Sequence, residues 1–389
     1  MFYGCTNLSQ IDVAFEEWPI NEGTYNYVAN VAPTGTFICP KALPLEYGED
    51  RIPEGWTVKY IEDMPNYLTF TAEEDGSTFG IVNNGSNNPD VQYSLDGGET
   101  WNALAAGDTI TLAHKGDKAL LRGDNPEGFS KWSNTDVSFS SFTMTGKIAA
   151  SGSVMSLIDG TGLSTEIPKV FCFNSLFEGC ASLTNAPKLP AETLAEACYS
   201  YMFSGCTSLT EAPELPATTL ARGCYAGMFQ GCTSLTQAPE LPATTLAEGC
   251  YDEMFSGCTN LSEINVSFDD WSEKATPEWV IGVAPTGTFI CPKGLPLEYG
   301  VSRIPEGWTV KYAEEGSGVS SALAEGVTVW TDDLTIFVRG AEGEVSLYDM
   351  SGKRVAVSNS KAEERALCVP SKGVYVVRTN NGTSDVLVR

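Results

Sequence analysis

The sequence predicts an α+β multidomain protein in which a short solenoid of 26-residue units is flanked by β-sandwich domains. The main observation is a block of 26 residues that repeats without a gap from Cys172. Two other stretches, 66–147 and 327–389, alternate short apolar runs with Gly, Asn and Asp turn signals, a pattern typical of antiparallel sheets. The chain has 389 residues and is 42% hydrophobic, so it can build several packed cores.

Residues 1–60 are predicted to be the tail and C-terminal cap of an upstream repeat array, because they recur later in the chain. Three stretches return in the same order: 1–8 as 254–261 (apart from Tyr3), 31–40 as 283–292, and 51–60 as 303–312. The first copy begins in mid-unit, so we expect Met1 to be an internal methionine of a longer protein. On that expectation, the lack of a secretory signal says nothing about secretion.

Both copies of this stretch contain aromatic, Pro and Gly residues that suit a cap. A solenoid needs such a cap to cover its last hydrophobic layer. Trp18 and Trp271 are the first tryptophans after each array. A ligand-binding aromatic platform is the alternative interpretation of the same residues.

Residues 61–147 are predicted to be a β-sandwich domain. Five strand-like runs are separated by turn signals: 67–71, 91–94, 109–112, 119–122 and 139–144. Within them, residues 94–101 (Ser-Leu-Asp-Gly-Gly-Glu-Thr-Trp) resemble the Asp-box hairpin of sialidases, and we interpret this single copy as a hairpin-stabilising device. Arg122, Gly123 and Asp124 spell an integrin-recognition tripeptide, although Gly-Asp is also ordinary turn chemistry. The lone histidine, His114, is expected to be a solvated turn residue.

Residues 148–312 are predicted to be the solenoid with its C-terminal cap. Apolar residues recur at the 26-residue period and form ladders, which are Phe177/Phe203/Phe229/Phe255, Leu183/Leu209/Leu235/Leu261, Leu189/Leu215/Leu241 and Leu194/Leu220/Leu246. One unit cannot close a core alone, but stacked neighbours bury the ladders. We expect Glu-Ala-Pro-Glu-Leu to be a brief strand, and residues 219–231 to be a short helix with Thr218 or Thr219 as N-cap. Residues 148–171 resemble a degenerate leading unit.

Eight of the twelve cysteines lie in this array, two in each unit and eight residues apart. That gap matches no common zinc spacing, and no histidine accompanies it. Equivalent cysteines of stacked units would be about 5 Å apart, which is more than the Cβ separation that a disulfide prefers. We therefore expect buried free thiols that act as small core residues. A disulfide within one unit remains the alternative.

The repeat carries a family resemblance. Phe203, Gly205, Cys206, Leu209, Leu215 and Pro216, with their equivalents at 26-residue offsets, match the motif of the BspA-like leucine-rich repeats of bacterial surface proteins. The chain departs from that motif by placing Ala-Pro where the family more often has β-branched residues in the strand. The resemblance implies an extracellular protein-binding or adhesion scaffold in anaerobic bacteria such as the Bacteroidetes.

Residues 313–326 read as a linker, and residues 327–389 as a small C-terminal β-sandwich. Two segments of the latter, 349–355 and 370–378, resemble the C-terminal sorting domains of type IX secretion substrates. The resemblance implies export across an outer membrane or attachment to the cell surface. A generic β-sandwich module without a sorting role is the alternative.

Composition excludes several classes of function. The formal net charge is −27, from 23 Lys+Arg against 50 Asp+Glu, so phosphate backbones and anionic lipids would be repelled. No run of apolar residues is long enough for a membrane-spanning helix. One histidine, no phosphate-binding loop and no carboxylate pair in a suitable setting argue against an enzyme, and no cofactor or metal is expected.

The remaining hypothesis is protein binding by the positions that vary between units. The candidate partner-binding residues are Asn185, Lys188, Glu211, Glu214, Gln237 and Glu240. Two further sets of varying positions are Glu196/Arg222/Glu248 and Tyr201/Gly227/Glu253. All of the candidates are polar and half of them are glutamates, which favours basic extracellular partners. A glycan-binding module on the aromatic caps or on residues 66–147 is the alternative, and a structural surface component without a specific ligand is the third possibility.

Overall fold

The structure is a computed structural model. It describes residues 2–13, 18, 28–49, 51–132, 137–272, 274–313, 328–332, 335–339, 345–349, 354–358, 364–369, 373–379 and 382–388. The chain forms two compact units, Met1–Lys311 and Tyr312–Arg389. It is 33% strand and only 2% helical, and it folds as a β-solenoid. The solenoid prediction is therefore confirmed, whereas the α+β class with β-sandwich domains is wrong.

The first stretch forms a three-stranded parallel sheet from β1 (Gln10–Asp12), β2 (Thr36–Cys39) and β3 (Thr57–Tyr60). Its core includes Ile11, Phe37 and Trp56, which are all buried. A 3-10 helix at Ile61–Asp63 follows β3. The second copy of this sequence forms an equivalent three-stranded sheet at the end of the solenoid stack.

Two sheets follow. The strands are β4 (Leu68–Ala72), β5 (Ser77–Asn84), β6 (Gln92–Ser94), β7 (Asn102–Ala103), β8 (Thr109–Leu112), β9 (Lys118–Arg122), β10 (Lys131–Trp132), β11 (Val137–Thr145) and β12 (Ile148–Ser151). One sheet has the order β10-β11-β5-β8. The other has the order β13-β12-β4-β9-β6-β7, where β13 (Leu183–Asn185) belongs to the first repeat.

These two sheets do not close over a core of their own, which is why the predicted β-sandwich is wrong here. Strand β12 pairs in parallel with β13 of the first repeat. The Phe142 ring stacks on Phe177 of that repeat with centroids 5.5 Å apart. One continuous core runs from Leu68 to Trp308. The sheets are thus the first layers of the solenoid stack.

The sheets also cap the hydrogen bonds of the first turn. The N–H of Phe142 donates to Leu176 O at 2.8 Å, and the N–H of Ser130 donates to Cys172 O at 2.9 Å. The Ser141 hydroxyl donates to Ser175 O at 2.7 Å. The carbonyl groups at this end of the stack therefore have protein donors instead of water.

The predicted helix at 219–231 is wrong. The segment is a ribbon of turns, because Gly223, Gly227 and Gly231 adopt positive φ angles of 59°, 59° and 72° and so interrupt right-handed helix. N–H groups alternate between two kinds of acceptor: Met228 N donates to Tyr225 O within the turn, and Gly227 N donates to Asp252 O of the next turn. Thr219 does not act as an N-cap; its backbone forms a parallel bridge with Thr193.

The ladders meet in the core as predicted for Phe177, Phe203, Phe229 and Phe255, whose rings stack with centroids 5.5–5.9 Å apart. A second aromatic ladder, Phe173/Tyr199/Tyr225/Tyr251, runs beside it with centroids 5.9–6.2 Å apart. This ladder was not predicted, although its 26-residue spacing is visible in the sequence. The leading turn contains the one α-helix among the described residues, α1 (Ser156–Asp159).

The stack ends in a parallel sheet of β14 (Glu263–Asn265), β15 (Thr288–Cys291) and β16 (Thr309–Tyr312). Trp279 is fully buried over the last turn, with its ring 6.2 Å from Tyr251 and 6.1 Å from Phe255. A large aromatic side chain therefore covers the final hydrophobic layer.

The second unit has seven described strands, which are β17 (Thr328–Asp332), β18 (Thr335–Arg339), β19 (Val345–Asp349), β20 (Arg354–Ser358), β21 (Glu364–Cys368), β22 (Gly373–Thr379) and β23 (Gly382–Val388). They form sheets of order β17-β18-β21 and β20-β19-β22-β23. Strand β17 also contacts β23, and β20 contacts β21, so the two sheets meet at both ends like a ring of strands. The predicted β-sandwich is wrong for this unit as well. The predicted linker lies, except for Ala313, outside the described residues.

Candidate partner-binding face

The six residues predicted to bind a partner are Asn185, Lys188, Glu211, Glu214, Gln237 and Glu240, and we call them the polar face. All six are exposed. They project outward because the side chains between and beside them are held in the core: in the middle turn Pro213 is buried and Leu215 is only 4% exposed. Each turn repeats this alternation, so the polar face sits on a rigid base.

Backbone bridges align the turns beneath the polar face. Asn185 pairs with Glu211, and Gln237 pairs with Glu263 one turn further. The side-chain amide of Gln237 donates to Glu263 Oε1 at 3.5 Å. Glu263 was not among the predicted residues, although it stands 26 residues after Gln237. The expected Glu-Ala-Pro-Glu-Leu strand is reduced in the middle turn to a single bridge at Glu211, because Pro213 has no N–H to donate.

The polar face is continuous with the outer side of the six-stranded sheet, through the β12–β13 pairing at Ala149 and Asn185. On that sheet the Asp-box segment positions Trp101. The guanidinium of Arg122 lies over the Trp101 ring, 4.0 Å from the ring centroid. The Tyr67 ring packs edge-on against the Trp101 ring, with the two centroids 5.0 Å apart. Arg122 Nε also donates to Gln92 Oε1 at 3.0 Å.

The Asp-box segment is a hairpin, as predicted, between β6 and β7. Asp96 accepts hydrogen bonds from the Thr100 hydroxyl at 2.5 Å, the Thr100 N–H at 2.9 Å and the Ser94 hydroxyl at 2.7 Å. These hydrogen bonds hold the pKa of Asp96 far below its usual range. The carboxylate therefore stays ionised and ties the loop together, which is a structural role.

The integrin-like tripeptide lies at the end of β9. Arg122 is engaged by Trp101, as described above. Gly123 is buried, and its N–H donates to Ser156 O at 2.9 Å. The backbone of Asp124 is also held, because its N–H donates to Asp90 Oδ2 at 3.1 Å. The structure thus places the tripeptide in a packed strand end, and its role as an integrin ligand stays a prediction.

His114 is an exposed turn residue whose N–H donates to Asp117 Oδ2.

The repeat thiols are buried, as predicted. Cys206, Cys232 and Cys258 each donate an S–H to the carbonyl of a phenylalanine, at 2.9–3.1 Å. Burial raises the pKa of Cys198 to about 12, so this thiol stays protonated at neutral pH. These thiols therefore act as small residues of the core.

The first tryptophan of each cap is not an open platform. Trp18 is 7% exposed and donates its indole N–H to Pro44 O at 2.7 Å, while the Arg51 guanidinium lies 5.1 Å from its ring centroid. Trp271 donates to Pro296 O and lies under Arg303 in the same way. Both indole rings therefore join loops within their own cap.

Across the described residues, no group of three or more His, Cys, Asp and Glu side chains is arranged to hold a metal ion. None of the described helices has the length and apolar character that crossing a lipid bilayer requires. Comparisons with protein-family models, with curated proteins and with solved structures found no match. The chain's own geometry therefore establishes a β-solenoid repeat protein.

Proposed function

We propose that this chain is a protein-binding scaffold that recognises its partner through the polar face. The observation that supports the proposal most directly is the contrast within each turn. The buried ladder positions repeat, whereas the exposed positions of the polar face change from Asn185 to Glu211 to Gln237, and from Lys188 to glutamate at 214 and 240. A regular base with variable exposed side chains is how solenoids build extended binding surfaces.

The chemistry of the partner follows from charge. Glu211, Glu214 and Glu240 are carboxylates of the polar face, and Lys188 is its one basic residue. The whole chain carries −27. Such a surface attracts basic proteins and raises their association rate, and it repels acidic ones. The proposed partner is a protein with an exposed basic patch.

The cellular setting is part of this proposal. The match of Phe203, Gly205, Cys206 and Leu209 to BspA-like repeats supports an extracellular or outer-membrane-surface location and an adhesive role. The similarity of residues 370–378 to type IX sorting domains supports secretion by that route. Protease treatment of intact cells expressing the full chain tests the location: surface exposure predicts its degradation before that of cytoplasmic proteins.

A charge-reversal variant tests the polar face. A phage-displayed random-peptide library is selected on the full chain and counter-selected on Glu211→Lys/Glu214→Lys/Glu240→Lys. We expect lysine- and arginine-rich peptides that lose at least about tenfold in affinity on the variant, since several charge pairs are reversed together. The control reverses three exposed glutamates outside the polar face, namely Glu74, Glu99 and Glu192. Equal losses in both variants would show a general charge effect and remove the polar face from the account.

Glycan binding is the second candidate, and the Trp101 cluster favours it. Trp101 and Tyr67 are partly exposed aromatic rings beside the hydrogen-bonding groups of Arg122 and Gln92. Aromatic faces with polar neighbours suit sugar rings, which have apolar faces and hydroxyl edges. A glycan array probed with the full chain and with Trp101→Ala tests it. Binding that persists in the variant would exclude this cluster.

A further inference from the structure

The two caps each contain a cleft that the polar face does not use. The first cleft, of about 330 Å³, is lined by Val31, Ala32, Pro33, Gly48 and Glu54, among others. The second, of about 270 Å³, is lined by the equivalent residues of the second cap. The same shape thus forms twice, 252 residues apart. Both volumes are at or below the lower end for small-molecule pockets, so each suits a single side chain.

Rigid backbone forms the walls of the first cleft. Trp56 donates its indole N–H to Ala32 O at 2.8 Å, which joins the 31–33 wall to the turn at residues 53–56. That turn is closed by Trp56 N donating to Pro53 O at 3.2 Å, with Gly55 at φ 84° in its third position. A Cβ at Gly55 would lie only 2.9 Å from Pro33 O, so the turn requires glycine here.

This turn places Glu54 at the rim of the cleft. In the second cap, Gly307 has the same φ of 84° and approaches Pro285 O in the same way, which places Glu306. The arginines of the caps are used elsewhere: Arg51 pairs with Glu46, and Arg303 pairs with Glu298, each at 2.8 Å. Within the described part of the chain, no ion pair involves Glu54 or Glu306.

We propose that each cap cleft binds one lysine or arginine side chain of a partner polypeptide. The apolar Val, Ala and Pro walls receive the methylene stem, and the rim glutamate receives the cationic head, which is how long basic side chains distribute themselves at surfaces. The site is separate from the polar face and does not depend on it. The two clefts differ at one charged position, because Glu49 of the first cleft is Val301 in the second.

Methyl NMR of the full chain tests the proposal with the peptide acetyl-Gly-Lys-Gly-amide. We expect shifts at Val31 and Val283, with affinity about two- to fivefold higher in the first cleft because of Glu49. Glu54→Gln/Glu306→Gln should weaken binding about fivefold in each cleft. Glu99→Gln/Glu192→Gln, with the same change in net charge, should leave it unchanged. The norleucine analogue of the peptide should bind several-fold more weakly.

Equal binding of the lysine and norleucine peptides, or no difference between the two double variants, would overturn the proposal. Should the rim substitutions disturb the fold, a salt titration of the unaltered chain replaces them: lysine-peptide affinity should fall as salt rises and norleucine-peptide affinity should not. The polar face is intact in both double variants, so a negative result here leaves the proposed function untouched.

Discussion

At the scale of single residues, Gly227 shows how closely adjacent turns pack. The equivalent residues Tyr201 and Glu253 also have positive φ, so the left-handed conformation alone does not require glycine. What requires it is the Tyr201 side chain, since a Cβ at residue 227 would lie 2.2 Å from Tyr201 Cε1. Gly227 thus makes room for a tyrosine of the preceding turn.

Gly227→Ala is therefore expected to destabilise the fold more than Gly223→Ala. Gly223 has the same φ of 59° but meets only the Ala197 Cβ, at 4.0 Å. We expect Gly223→Ala to cost about 1 kcal/mol, from left-handed backbone. Gly227→Ala should cost about 1–3 kcal/mol more, from overpacking. Urea denaturation measures both, and equal midpoints would contradict the steric argument.

The buried thiols predict a pH dependence of stability. Burial raises the pKa of Cys172, Cys198 and Cys258 to about 12, whereas an unfolded cysteine ionises near 8.5. A pKa that is higher in the folded state stabilises the fold fully below the unfolded pKa, and this stability is lost as the pH rises toward the folded pKa. Each such thiol removes up to about 1.4 kcal/mol per pH unit above 8.5.

Urea midpoints should therefore fall steeply from about pH 8.5 to about pH 9.5, below the range in which unfolded tyrosines ionise. Removing the exposed thiols with Cys5→Ala/Cys368→Ala should leave this slope unchanged. Removing two buried thiols with Cys206→Ala/Cys232→Ala should reduce it, although it also lowers the midpoint by creating cavities. A flat pH profile in the unaltered chain would mean that the thiols are not protonated core groups.

At the scale of the turn, a row of alternating charges runs along one edge of the stack. Glu196, Arg222, Glu248 and Lys274 stand 26 residues apart and occupy equivalent positions. The backbone joins them from turn to turn, because the N–H groups of Ala197, Gly223 and Gly249 donate to Arg222 O, Glu248 O and Lys274 O. Arg222 Nη1 lies 3.0 Å from Glu196 Oε1, with both side chains largely exposed. Opposite charges therefore face one another from turn to turn.

Arg222→Glu should place like charges in this row and lower the free energy of unfolding by about 1 kcal/mol at low salt. Arg222→Gln, which removes attraction without adding repulsion, should cost about half as much. The difference between the two variants should shrink at 1 M NaCl because salt screens exposed charges. A salt-independent difference would indicate that packing, not charge, is responsible.

The turn is also the scale at which sequence-based prediction fails. The 26-residue period identified Phe203, Leu209 and Cys206 as buried ladder positions, because stacking turns repeats burial at the same period. It could not distinguish a helix from a ribbon of turns over residues 219–231. The available signal was glycine at every fourth residue, Gly223, Gly227 and Gly231, which a helix would not favour.

The candidate site was predictable to a similar extent. Exposure of Glu211 and Glu214 follows from their alternation with Pro213 and Leu215, so local pattern was sufficient. The Trp101–Arg122 contact and the cap clefts depend on residues far apart in the chain. Those arrangements come from sheet pairing and from the approach of two loops, which no local pattern encodes.

At the scale of the whole molecule, the extent of the cores determines which parts unfold together. The core that begins at Leu68 continues through the repeats to Trp308, so the β-sheets and the solenoid turns share one hydrophobic interior. The second unit has its own core around Ile336, Leu347 and Val377. Solenoid turns contact only their neighbours, and a short stack therefore depends on both of its ends.

Phe142→Ala tests this dependence, because Phe142 joins the sheets to the first turn. Its ring is 1% exposed and contacts Phe70 and Phe177, and its N–H donates to Leu176 O. The truncation should cost about 3–5 kcal/mol. Phe229 lies two turns beyond Phe177. If the stack opens as one unit, the Phe229 N–H should lose as much protection from hydrogen exchange as the Phe177 N–H.

Leu347→Ala is the matched truncation in the second unit. It should lower protection only in strands of residues 328–388 and leave Phe177 and Phe229 unaffected. Should Phe142→Ala instead reduce protection at Phe177 while Phe229 keeps its own, the turns would open one by one. The stability of the array would then be set by interfaces between neighbouring turns, and the sheets of residues 68–151 would be an end cap without control over the distant repeats.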